Sequence, residues 1–417
     1  MGLINVRKEN KIQQQKYAAR TGFTVDIQKI GKNTELIASK QKKSHKQIRQ
    51  GVWLSRKSRT FRDGNFTNIY DLFWNSKNTS VFPQIYSSNS TYSLFDQVTN
   101  DQSILGVING TYFFLADIAD RRPHDPTLNF CIRDYSLIGL PSSDEPILYN
   151  RKGKLYARNI HARGVLKIGN ILTSWIGEKS RVRKNSSSTA VLYNSNSATM
   201  LLERHPVTGV AIDILDNVNI TTPISEHATD LLIAHDSENK LIVKGIIKGG
   251  GSHFFEGVFT LQITGNADCY NVGDIVEPVT LDGLKLSGIT AGISIGRQIV
   301  QPSKKTHSES FIRHARSVIA KDNNHQIHFI VFDGSKYIPG FKGVSIRDIY
   351  SYFSSKKFKW AYFLDGGGSS RIILKKDDKF KFYANEFAFR KMEDGKHLWD
   401  WRNARMIASS IALKMHV

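Results

Sequence analysis

The 417-residue sequence has only two cysteines, Cys131 and Cys269, and they lie far apart. That excludes a disulfide framework and any cysteine-rich zinc module. No stretch approaches the roughly 20 consecutive apolar residues of a membrane span, so no transmembrane segment is expected. The first 30 residues lack the apolar run of a secretory signal, which leaves a cytoplasmic location as the default expectation. Paired His-Glu zinc motifs and the Gly-x-Ser-x-Gly nucleophile elbow are also missing. So are the signatures of nucleic-acid-binding modules. Lys248-Gly249-Gly250-Gly251-Ser252 lacks the downstream residues of a P-loop or dinucleotide fingerprint, so it reads as a turn between two strands.

The rest of the composition is that of a folded protein, with 40% hydrophobic and 23% charged residues. A chain of this length buries enough apolar surface to need no staple. The formal charge of +21 is unevenly spread: residues 1–63 hold 16 Lys+Arg and 4 Asp+Glu, a net of +12. Lys40-Gln41-Lys42-Lys43 and Arg56-Lys57-Ser58-Arg59 stand out, and residues 40–50 have few apolar positions. This divides the chain into a basic N-terminal extension, 1–64, and a domain from 65 to 417. The extension is either an arm that contacts a polyanion through residues 1–63 or a solubilising segment. Phe23, Val25, Ile27, Ile30, Leu36 and Ile37 provide for short strands near its start.

Beyond residue 65, short β-branched and aromatic runs alternate with Gly, Asn and Asp turns, and long amphipathic helices are few. Residues 104–108, 165–168, 189–193, 231–233, 241–247, 258–263, 327–332 and 360–364 read as strands. Ile327–Phe332 ends in Asp333-Gly334. Ser345 and Asp348 then form a capping-box-like helix start. Ile346, Ile349, Tyr350 and Phe353 give that helix one apolar face. A second strand ends in Asp365-Gly366-Gly367-Gly368-Ser369-Ser370. The two strands should run parallel, bringing both acidic ends to one carboxyl edge, where open α/β sheets bind ligands. Gly366, Gly367 and Gly368 let the backbone approach a ligand closely. The expected fold class is α+β (mixed αβ), with β-rich twisted sheets and a strand-loop-helix-strand unit carrying the Asp-Gly-Gly-Gly-Ser turn.

An echo of this unit occurs upstream. Tyr92, Leu94, Phe95 and Val98 mark a helical face, followed by the strand 104–108 and by Asn109-Gly110-Thr111. The spacing predicts a diverged duplication with Asn109 as the counterpart of Asp365.

Five stretches, in order, carry a resemblance. Val107 to Phe114 is similar to Ala-Ile-Asn-Gly-Gly-Phe-Phe, and Arg313-His314-Ala315-Arg316-Ser317-Val318 to Pro-Arg-Thr-Ala. Val331-Phe332-Asp333-Gly334 is similar to Val-Asp-Gly-Arg. Asp365 to Ser369, after an apolar strand, is similar to Asn-Leu-Asp-Gly-Gly-Gly-Ser. Asn403-Ala404-Arg405-Met406-Ile407-Ala408-Ser409 is similar to Glu-Arg-Val-Ala-Asn. Together they resemble the phosphodiester glycosidase family over about residues 86 to 413. Thr111, Ser317-Val318, Ser335 and Ala404 depart from its pattern.

The resemblance implies hydrolysis of the glycosidic bond of a sugar-1-phosphodiester, such as an N-acetylglucosamine-1-phosphodiester, to free sugar and phosphomonoester. Glycoside hydrolysis generally uses carboxylates. Asp365 is the first candidate for nucleophile or general base. Asp333 is either a second carboxylate or the holder of its own turn. His314 is either a general acid, with a side chain suited to titrating near neutrality, or structural. Arg316 and Arg405 either grip phosphate bidentately or make ordinary ion pairs. Asn109, next to Gly110, either donates to substrate oxygens or caps its loop. Ser369 is a hydrogen-bond donor. No cofactor is required, although Asp333, Asp365 and Asn109 could present oxygens to Mg²⁺ or Ca²⁺. The rivals are a non-catalytic protein that binds phosphosugar polymers or nucleic acid, and a metal-dependent phosphodiesterase that cleaves P–O.

Overall fold

A computed structural model describes residues 25–30, 33–38, 40, 42–92, 94–111, 129–181, 190–194, 201–204, 211–214, 221–253, 258–300, 312–335, 340–376, 379–383, 389–391, 397–399 and 407–416. Of these, 58% are strand and 7% helix. The protein is therefore mostly β, with several antiparallel sheets, and less mixed than its composition implied. No described helix is long and apolar enough to cross a membrane.

The chain divides into two units: Met1–Tyr86 with Thr91–Thr111 and Ile295–Val417, and Ser87–Ser90 with Tyr112–Ser294. The second unit holds a five-stranded and an eight-stranded sheet. Their inward residues share a core that includes Phe130, Ile147, Leu166, Trp175, Leu231 and Phe259. Here the Gly249–Gly251 turn is structural. Thr222 Oγ1 accepts from the Gly251 and Ser252 amides, and the buried Asp230 accepts from Ser252 as well.

The first unit contains β1 (Phe66–Asn75), α1 (Leu94–Asn100), β2 (Ile104–Asn109), β3 (Arg316–Asp322), β4 (Gln326–Phe332), α2 (Ile346–Ser354), β5 (Phe358–Phe363), β6 (Ile372–Lys376) and β7 (Ile407–Met415). One six-stranded sheet runs β5-β3-β4-β1 and continues through Val52–Thr60 to Ser44–Arg49. A five-stranded sheet contains β6-β2-β7, with Lys379–Tyr383 and Val81–Tyr92 at its edges. The sheets meet face to face. A Cβ on Gly106 would stand 2.7 Å from side-chain carbons of both Leu72 and Leu374, so this position of β2 takes no side chain.

Helix α2 covers the outer face of the six-stranded sheet. Ser345 Oγ accepts from the Asp348 amide while Asp348 Oδ2 accepts from the Ser345 amide, the reciprocal cap that the sequence signalled. Ile349, Tyr352 and Phe353 pack on Ile69, Val318, Ile330, Phe332, Ala361 and Phe363. Burying each such side chain contributes about 1.5–3 kcal/mol. Helix α1 lies over the other sheet, where Ser410 Oγ donates to Gln97 Oε1. Each helix is followed by a strand, α1 by β2 and α2 by β5, as the upstream echo anticipated.

The expected boundary at residue 64 falls inside a sheet. Val52–Thr60 pairs with β1 along its whole length, and Val52 and Leu54 are buried. The strand was masked because Arg56, Lys57 and Arg59 interrupt its apolar alternation. Ser44–Arg49, largely exposed, forms the edge, where charged residues such as Lys46 and Arg49 discourage pairing with another chain. The short strands foreseen near the start form a hairpin, Val25–Ile30 with Asn33–Ala38.

Candidate active site

Strand β3 runs antiparallel to both of its neighbours, β4 and β5, so those two strands are parallel to each other with β3 between them. Their carboxyl ends therefore share one edge, as expected. Arg316 begins β3 opposite Phe332, the last residue of β4, and Val318 pairs with Phe363, the last residue of β5. The register thus sets Arg316 between the turns that carry Asp333 and Asp365. Two strand spacings, about 9.5 Å, separate the backbones of those turns.

The two aspartates are held alike but differ in exposure. Asp365 Oδ1 accepts from the Gly366 amide at 2.8 Å, and Asp333 Oδ1 accepts from the Gly334 amide at 2.8 Å. Asp365 is half-buried, whereas Asp333 is 0% exposed. The Asp333 amide donates to the Asn68 carbonyl, and its own carbonyl accepts from Thr67 Oγ1 at 2.7 Å. Asp333 is thus sealed beside its turn, and Asp365 is the more exposed carboxylate of the pair.

Asn109 is completely buried and acts as a strut. Its Nδ2 donates to the Asp365 carbonyl at 2.8 Å, while its Oδ1 accepts from Ser317 Oγ at 2.7 Å and from the Arg371 amide at 3.3 Å. The Asp365 amide in turn donates to the Gly110 carbonyl at 2.9 Å. The side chain expected either to donate to substrate or to cap a loop is thus occupied by hydrogen bonds within the protein, one of them to the Asp365 turn. Asn109→Ala is expected to destabilise the protein by roughly 2–4 kcal/mol, because it strands buried partners. An unfolding free energy from urea titration within about 0.5 kcal/mol of the parent would contradict that role.

Arg316 flanks the glycine turn. Its Nη1 lies 3.9 Å from where a Cβ of Gly366 would stand, and its Nε donates to the Val344 carbonyl at 3.3 Å. The Gly367 amide donates to the Ala315 carbonyl at 2.8 Å, binding the turn to the residue before Arg316. His314 is half-buried and exchanges backbone hydrogen bonds with Val344. Two chain segments cross closely here. A Cβ at Gly343, whose φ is +82°, would come 2.3 Å from the His314 carbonyl oxygen, so only glycine fits. Arg313 anchors the segment, donating to Asp63 Oδ2 at 2.6 Å and to Asp348 Oδ2 at 3.3 Å. That hydrogen bond, first among the causes, lowers the Asp63 carboxyl to about 2.

Gly367–Ser369 forms one 3₁₀ turn. The Oγ atoms of Ser369 and Ser370 are buried there without a hydrogen-bond partner. Arg405, Tyr112, Phe113 and Phe114 lie outside the described residues. Among the described residues, no three His, Cys, Asp or Glu side chains gather as a metal-holding group.

Three contributors escaped the sequence reading. Ser317 supports Asn109. Buried Arg371 ties its amide to Asn109 and its Nη2 to the Gly368 carbonyl at 3.2 Å. Ser409 accepts the Gly110 amide on its carbonyl and the Thr111 amide on its Oγ. Ser317 lies within a motif, Ser409 ends one and Arg371 stands two residues after another, which is the signal that could have drawn attention to them.

No curated protein matches the chain by sequence. The fold is similar to that of a hypothetical protein from Synechocystis, with a TM-score of 0.56 and 12% identity over 95% of this chain and 68% of that one. The zebrafish N-acetylglucosamine-1-phosphodiester alpha-N-acetylglucosaminidase catalytic domain, auto-inhibited by pro-peptide, aligns with a TM-score of 0.38 and 10% identity over 91% of this chain and 89% of that one. Residues 233–408 match the family model for phosphodiester glycosidase. That span includes His314, Arg316, Asp333, the Asp365–Ser369 turn and Arg405, and it excludes Asn109 and Gly110. The match to the phosphodiester glycosidase family model is thus confined to residues 233–408.

Proposed function

We propose that this protein hydrolyses the glycosidic bond of a sugar-1-phosphodiester, releasing free sugar and a phosphomonoester. The observation that carries the reading is the placement of the Arg316 guanidinium beside the turn that presents Asp365. A carboxylate facing a phosphodiester is repulsive, and a guanidinium between them offsets that repulsion while gripping the phosphate oxygens. Asp365 then acts at the anomeric carbon, either as nucleophile or as the base that takes a proton from water. The C1–O bond breaks, the bonding pair leaves on the phosphate oxygen, and water supplies the new sugar hydroxyl. Phosphate is a good leaving group, so stabilising its charge outweighs protonating it. Arg316 supplies that stabilisation, and the Ser369 and Ser370 hydroxyls donate to substrate oxygens. The buried Asp333 holds the neighbouring turn. His314 lies at the same edge.

The test is incubation with a panel of sugar-1-phosphodiesters, monitoring sugar and phosphomonoester together. Equimolar release of both from at least one member is expected. Binding of the panel without turnover would reduce the protein to a phosphosugar-binding module.

A further inference from the structure

The face that carries Arg316 has a second basic feature that the proposed chemistry does not use. Lys57 pairs with Ile69, Ile69 with Phe332, and Phe332 with Arg316, so the four residues form one row across the sheet. Register partners point to the same face. Ile69 and Phe332 are buried under α2, which leaves a cation at each end of the row. Three strand spacings, about 14 Å, separate those ends. The nine-residue helix α2 has nearly that length, about 13.5 Å. Arg316 touches the Val344 carbonyl just before its N-cap, and Lys356 follows its C-cap.

Lys356 reaches back over this end of the sheet. Its Nζ donates to Tyr352 Oη at 2.6 Å and lies 3.9 Å from the centre of that ring, while Lys57 Nζ lies 4.9 Å from the same centre. Two ammonium groups therefore converge on one aromatic ring in a half-buried setting. Burial first, and then the Lys57 charge, pushes the Lys356 ammonium down to about 8, while the Asp71 charge opposes the shift. Asp71 is the nearby carboxylate, and it is hydrogen-bonded to His328 Nδ1 at 3.0 Å. Arg59 lies on the same strand as Lys57, with its guanidinium 5.6 Å from the Phe61 ring. A phosphodiester, whose single negative charge is shared over two oxygens, offsets the repulsion of the two ammonium groups when docked between them.

We propose that Lys57 and Lys356 form a second anion seat, which takes another phosphate of a polymeric sugar phosphodiester whose reacting phosphate lies at Arg316. The inference rests on the proposed function for the identity of the polymer. The seat itself rests on the convergence of the two lysines. A sugar-phosphate polymer is favoured over a nucleic acid because the cation at the far end of the row, Arg316, stands at the proposed glycosidic site.

The test measures the affinity of the full chain for inorganic polyphosphate at several salt concentrations. The proteins compared are the parent, Lys57→Met/Lys356→Met and Lys57→Arg/Lys356→Arg. The methionine pair is expected to bind about tenfold or more weakly, with a salt slope shallower by roughly two, and the arginine pair to bind like the parent. Parent-like affinity and slope in the methionine pair would overturn the seat and leave Lys356 as an ordinary shielded lysine. Tighter binding of duplex DNA than of polyphosphate by the parent would also overturn the assignment. Failure of the glycosidase reading shows separately, as absent sugar release with polyphosphate binding intact.

Discussion

Asp365→Asn lowers turnover of a sugar-1-phosphodiester by roughly two or more orders of magnitude, the usual consequence of losing an acid/base group. The substitution is nearly isosteric. An asparagine Oδ1 still accepts from the Gly366 amide, as the carboxylate does at 2.8 Å, and the backbone bonds to Gly110 and Asn109 do not involve the side chain. The turn therefore persists, and the missing negative charge is the main change. Thermal unfolding should occur close to that of the parent, while the rate collapses. A well-folded variant with near-parental turnover would remove Asp365 from the chemistry. Asp333→Asn makes a useful contrast. Asp333 is sealed from solvent, so its replacement should show chiefly as a stability loss and much less as a selective loss of kcat.

Arg316→Ala should reduce kcat/KM by about 10²–10³, the range seen when one donor to a developing anion is removed. The guanidinium flanks Gly366 from the first residue of β3, so the same fork that binds ground-state phosphate meets the charge that grows as the C1–O bond breaks. Arg316→Lys keeps the charge but loses the planar pair of donors, and it should recover only part of the rate. Inhibition by inorganic phosphate should weaken in step with kcat/KM. Unchanged kcat/KM in Arg316→Ala would mean that the side chain serves the local structure alone, including its hydrogen bonds to the Val344 and Ile312 carbonyls.

Local patterns revealed much of the scaffold. The β-branched runs became strands, and Ser345 with Asp348 became a reciprocal cap. The shared acidic edge followed from strand direction alone, although the antiparallel β3 between β4 and β5 did not. Two kinds of information were hidden. The strand Val52–Thr60 resembled an arm because three of its nine residues are basic, yet its paired backbone and two buried aliphatics place it in the sheet. The supports of the Asp365 turn bridge very distant positions. Asn109 meets Ser317 across 208 residues and Asp365 across 256, and Thr111 meets Ser409 across 298. No local window contains such pairs. The different exposures of Asp333 and Asp365 were equally unreadable, since both end an apolar strand with Asp-Gly.

Hydrolysis in ¹⁸O-enriched water, with both products analysed by mass spectrometry, bears most directly on the central claim that Asp365 and Arg316 together direct attack to the anomeric carbon. Label in the released sugar, with none in the phosphomonoester, is the expected result. Label in the phosphomonoester would place the cleavage at P–O and contradict the glycosidic mechanism.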